Sequence, residues 1–92
     1  MPMPINYSML PIHMREATRR YIEQGILPGS FLRAVITNDL AGAFRTADDI
    51  NLPLISIWVK FFYNEAPVTC YGSPAAMTRW HELGGLYGKA RA

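Results

Sequence analysis

The stretch Leu52-Pro-Leu-Ile-Ser-Ile-Trp-Val-Lys-Phe-Phe-Tyr63 carries only two polar side chains, Ser56 and Lys60. They stand four apart and Asn64 continues the step. On a helix the three make one narrow polar stripe, with apolar groups around the rest of the circumference. A helix of that kind has to be covered on most sides, which places it in the middle of a small bundle. The same residues also alternate: Ile55, Ile57, Val59, Phe61 and Tyr63 are β-branched or aromatic and suit a strand. The polar spacing of four and the length of the run favour helix. The expected fold is all-α, a compact bundle of four to five short helices around a central hydrophobic helix at residues 52–64.

A chain of 92 residues makes one domain that buries roughly 60–65% of its unfolded surface. Half of its residues are hydrophobic and 17% are charged, which is the composition of a folding chain and not of a disordered tail. The formal net charge is +2 and the nine basic residues are scattered. A dedicated nucleic-acid binder gathers its positive charge on one face, so nucleic acid gains no support as a partner. Cys70 is the only cysteine, which leaves no intramolecular disulfide and no multi-cysteine metal site. The opening Met1-Pro-Met-Pro-Ile-Asn6 lacks the basic-then-apolar pattern of a signal peptide. The apolar run at 52–63 is shorter than the ~20 residues a membrane span needs. A cytoplasmic protein with no membrane association is expected.

Along the chain, residues 1–10 read as a flexible N-terminal arm, since Pro2 and Pro4 block regular structure. Met3, Ile5, Tyr7, Met9 and Leu10 give that arm a means of lying on a hydrophobic surface. A single helical domain then spans 11–84. Its first helix runs from Pro11 to about Gln24, with Met14, Ala17, Thr18, Tyr21 and Ile22 inward and Gly25 as the stop. Ser30 is expected to cap a second helix from Phe31, whose core face is Phe31, Leu32, Val35 and Ile36. Thr37 or Asn38 is expected to cap a third helix through Leu40, Ala43, Phe44 and Ala47; one kinked helix over 31–47 is the alternative. Small residues at Ala41, Gly42 and Ala43 permit a close helix approach. Asp48, Asp49 and Asn51 close that segment and cap the central helix. Ser73 and Pro74 open the last helix, with Met77, Trp80 and His81 inward. Gly84-Gly85 ends it, leaving residues 85–92 as a C-terminal tail.

Chemistry-bearing patterns are sparse. His13 and His81 are far apart and have no His-x3-His or Cys-x2-Cys partner spacing. Cys70 with His81 as base matches no cysteine-hydrolase signature and reads as a structural thiol. Asn38, Asp39, Asp48 and Asp49 lack EF-hand spacing and are accounted for by helix capping. Pro28-Gly29-Ser30 is no phosphate-binding P-loop. The sequence therefore offers no catalytic residue, no cofactor site and no metal site. Two surfaces stand out instead. Arg15, Arg19 and Arg20 form a modest basic face, offset by Glu16 and Glu23. The aromatics suit either a dense core, the reading slightly favoured, or an interface where aromatic side chains act as anchors, for which Phe62, Tyr63, Tyr71 and Tyr87 are the candidates.

Four stretches carry a resemblance: Tyr21 to Leu40, Ala43-Phe-Arg-Thr-Ala-Asp-Asp49, Tyr63-Asn-Glu-Ala-Pro67 and Gly72-Ser-Pro74. Together, over about residues 10–83, they are similar to a group of short proteins of proteobacterial phages and prophages. The resemblance brings no activity and no catalytic residues with it. It implies an accessory protein that works in the host cytoplasm by binding a host protein, such as an anti-defence or anti-CRISPR-like inhibitor, with homo-oligomerisation a further expectation. Two alternatives stand beside it. One is a nucleic-acid-associated regulator using the Arg15, Arg19 and Arg20 face; the other is an oligomeric protein that sequesters a nucleotide.

Overall fold

Six α-helices and two short 3-10 turns make up the fold, with no strand among the described residues. The computed structural model describes residues 5–91, and the side chains of residues 5–89. The helices are α1 (Ile12–Gln24), α2 (Ser30–Ile36), α3 (Leu40–Thr46), α4 (Ile55–Asn64), α5 (Pro74–Leu83) and α6 (Gly85–Arg91); the 3-10 turns are Leu52–Leu54 and Val68–Cys70. The all-α reading and the helical reading of the central run both agree with this architecture.

Helix α4 joins most of the molecule through aromatic contacts. Trp58 meets Phe31 of α2 edge-on at 5.5 Å, and Phe61 meets Phe62 edge-on at 5.2 Å. Phe61 also reaches Tyr7 at 5.7 Å, and Phe62 reaches Tyr71 at 5.6 Å. Edge-on and tilted packing of this kind suits the ring quadrupoles. The indole N–H of Trp58 is fully buried and donates to Asn51 Oδ1 at 3.1 Å. The helix is not apolar all round, however. Its buried side is Ile55, Trp58, Phe61 and Phe62, while Val59 and Tyr63 join Ser56, Lys60 and Asn64 at the surface.

A second seam ties α1 to α5. Trp80 Nε1 donates to the carbonyls of Tyr21 and Ile22, each at 3.1 Å, and Tyr21 donates its hydroxyl to the Cys70 carbonyl at 2.7 Å. Every buried side-chain polar atom among the described residues has a hydrogen-bond partner, as a stable interior requires.

Several boundaries differ from expectation. Gly29, not Ser30, precedes α2, and Ser30 is its first helical residue. Asp39 caps α3 by accepting from Gly42 N, while Asn38 turns the chain with φ +64°. Asp48 Oδ1 accepts from the amides of Ile50 and Asn51, which leaves the Asn51 side chain free to point inward. His81 lies at the surface, its Nδ1 bonded to the Gly25 carbonyl. The arm is fastened over residues 5–10: Leu10 is buried, Tyr7 donates to Glu23, and Arg15 donates to the carbonyls of Leu10 and Ser8. The expectations for Pro2, Met3 and Pro4 lie outside the described residues. The expected tail is helix α6, which packs on α1. Gly84 does end α5, but Gly85 lies so close to the backbone of Glu23, Gln24 and Gly25 that the chain reverses and restarts as a helix.

Candidate interaction site

Helix α3 is set by its connection to α2. The turn between them is only Thr37-Asn38-Asp39, so α3 folds directly back on α2 and must approach it closely. Ala43 provides a small buried side chain at this contact, and Gly42, also buried, leaves room for the Asp39 side chain that caps α3. With Ala43 inward, Leu40 and Phe44 are 61% and 53% exposed. The third helix expected through Leu40, Ala43, Phe44 and Ala47 forms over Leu40–Thr46, with Ala43 buried and Leu40 and Phe44 turned to solvent.

Across a shallow groove of about 40 Å³, lined by apolar Val35, Leu40, Ala43, Ile55 and Val59 and by polar Asn38 and Asp39, α3 faces α4. Val59 is 50% exposed and Tyr63, one turn further along α4, is 77% exposed. Leu40, Phe44, Val59 and Tyr63 thus give α3 and α4 an apolar outer face. Arg45 and Lys60 lie exposed on the same two helices, and neither makes an ion pair among the described residues. An apolar centre with charged groups at its edge is the usual anatomy of a protein-binding patch.

The residues singled out from sequence fall in different places. Tyr63 belongs to this face, and Tyr71 is half-buried behind it at 6.4 Å. Phe62 is buried between Phe61 and Tyr71, so it is a core residue and not an anchor. Tyr87 is half-exposed on α6 and donates to Glu23 at 2.8 Å. That bond raises the Tyr87 phenol above its ordinary value, and the hydroxyl is held within the fold.

The three arginines do not make a free basic face. Arg15 holds the carbonyls of residues 8 and 10, Arg19 pairs with Glu16 and Glu23, and Arg20 pairs with Glu16. Hydrogen bonding from Arg19 lowers the Glu16 carboxyl, which favours the charged form of its pairs with Arg19 and Arg20. Cys70 is fully buried and its thiol is pushed up to about 12 by desolvation, which keeps it protonated and un-nucleophilic near neutrality. Among the described residues no three His, Cys, Asp or Glu side chains converge to hold a metal ion. None of their helices is long and apolar enough to cross a membrane.

No family model, characterised protein or solved structure matches this chain. The fold defines a small all-α protein that exposes apolar side chains on the outer sides of α3 and α4.

Proposed function

We propose that this chain is a non-enzymatic binding protein that occupies a protein of the cell in which it acts, through the outer face of α3 and α4. In the setting its sequence resemblance implies, that partner is a protein of the bacterial host, and the outcome is inhibition of the anti-defence kind. The observation that carries the proposal is the outward placement of Leu40, Phe44, Val59 and Tyr63 on two adjacent helices. The monomer gains nothing from exposing them, whereas a partner that covers them gains the hydrophobic term. Phe44 and Tyr63 supply the aromatic anchors, and Arg45 and Lys60 set orientation and association rate. The engagement of Arg15, Arg19 and Arg20 within the fold favours this reading over nucleic-acid binding by that face.

The test compares the native chain with L40E/F44E in nuclease-treated host lysate, with sedimentation of the purified proteins alongside. A discrete protein partner retained by the native chain and lost by an equally stable L40E/F44E supports the proposal. Loss of an anchor of this kind amounts to about 2 kcal/mol or more, roughly 30-fold in affinity. Equal capture by both proteins removes the α3–α4 face from the account. Concentration-dependent self-association that L40E/F44E abolishes, with no other partner, reassigns the face to a homo-oligomer.

A further inference from the structure

Helix α5 floors a cleft of about 630 Å³. Ala76, Arg79, Trp80 and Leu83 fall at steps of three and four, so they form one stripe along α5. The second 3-10 turn contributes Val68 and Thr69 to one wall, followed by Tyr71 and Ser73, and Lys89 of α6 completes the lining. The volume lies within the ~300–1,000 Å³ of small-molecule sites.

Its chemistry is one-sided. The lining holds a guanidinium, an ammonium and three hydroxyl groups, and no carboxylate. Arg79 and Lys89 make no ion pair and no side-chain hydrogen bond among the described residues. That sets Arg79 apart from Arg15, Arg19, Arg20 and Arg33, which are all held by carbonyls or carboxylates. Ser73 Oγ accepts from Ala76 N at 3.1 Å, which leaves its hydrogen to be donated elsewhere. Trp80 is anchored from behind through its indole N–H, so this part of the floor is rigid. Val68 and Leu83 remain exposed beside it. Donors without acceptors select an anion, and an arginine fork suits the paired oxygens of a carboxylate or phosphate. The wet apolar side chains select a hydrocarbon body attached to that anion.

We infer that the α5 cleft binds a small organic anion, a carboxylate or phosphate monoester head carried on an apolar body. The head sits between Arg79 and Lys89, with Ser73 and Thr69 donating to it, and the body lies along the exposed Val68 and Leu83, over a floor closed by the buried Trp80. The inference is independent of the α3–α4 face, with which the cleft shares no lining residue.

Octanoate, octyl phosphate and 1-octanol serve as probes, titrated into the full chain and followed by amide and methyl NMR shifts. Saturable shifts centred on Val68, Thr69, Ala76 and Leu83, tighter for an anion than for octanol, are expected. Octanoate alone would identify a carboxylate head, and octyl phosphate alone a phosphate head. In R79Q/K89Q, two surface changes that leave the melting temperature in place, affinity for the anion drops about tenfold or more and approaches that of octanol. The inference is overturned by an absence of shifts at these residues, by shifts centred on Leu40 and Phe44, or by anion binding that R79Q/K89Q leaves intact.

Discussion

At the scale of single residues, two buried groups set measurable limits on stability. Cys70 is held at about pKa 12 by desolvation, whereas in the unfolded chain it returns to the ordinary thiol value. Above that ordinary value the unfolded chain releases a proton that the native state keeps. Stability is therefore full below pH ~8.5 and falls by about 1.4 kcal/mol for each pH unit above it, until the pH reaches the folded value. Tyr7 and Tyr21, whose phenols burial also raises, add to the decline from about pH 10 upward. Urea melts of the native chain should weaken between pH 8 and 10, and C70A should flatten that slope; an unchanged slope would remove Cys70 as its source. Asn51 offers the complementary case of a polar group kept inside for one bond. Its Oδ1 is the acceptor for Trp58 Nε1 in the aromatic core. Replacing Asn51 by Ala strands the indole N–H without water, so N51A should cost about 1–3 kcal/mol. Chemical denaturation measures this directly, and a loss below half a kcal/mol would mean the indole finds another partner.

At the scale of elements, the contact between α1 and α6 rests on two glycines. Gly25 ends α1 with φ +74° and Gly85 begins α6 with φ +70°. A Cβ on Gly85 meets Gln24 N, Glu23 C and Gly25 N at 2.6 Å. Those are backbone atoms that cannot step aside, and the positive φ adds strain of its own. G85A should therefore lift α6 from α1, cost more than about 1 kcal/mol, and increase hydrogen exchange at Leu86–Gly88; native-like protection there would show that α6 tolerates the change. This element was the least legible in the sequence. Gly-Leu-Tyr-Gly has little helix propensity, and α6 exists because Leu86 packs on the core and Tyr87 bonds to Glu23, which are tertiary causes. By contrast α1 and α5 were readable, since their periodicity, glycine stops and the Ser73 cap are all local signals. Helix α3 lies between these cases. Its existence followed from capping residues and periodicity, but in seven residues Leu40, Ala43, Phe44 and Ala47 describe an equally good inward face. The short turn from α2 and the Asp39 cap over Gly42 leave Ala43 buried with Leu40 and Phe44 outward, and that choice is what creates the candidate site.

At the scale of the whole molecule, the radius of gyration of 12.3 Å agrees with the ~12 Å expected of a compact domain of this length. The exposure of Leu40, Phe44, Val59 and Tyr63 thus occurs on a compact chain whose core is closed. Two phenylalanines then separate folding from binding. Phe61 is fully buried and touches Tyr7 and Phe62, so F61A should cost about 3–5 kcal/mol through lost contacts and the cavity left behind. Against a total of ~5–15 kcal/mol for a domain, that is enough to bring the chain close to unfolding. Phe44 is half-exposed on α3 and lies outside the core cluster, so F44A should leave stability within ~0.5 kcal/mol. Partner capture should respond in the opposite order once the two variants are compared at equal folded concentration: reduced in F44A and retained in F61A at a temperature where it is still folded. If F44A instead destabilises the chain as strongly as F61A, then Phe44 serves the core in solution, and the α3–α4 face is closed and not available to a partner.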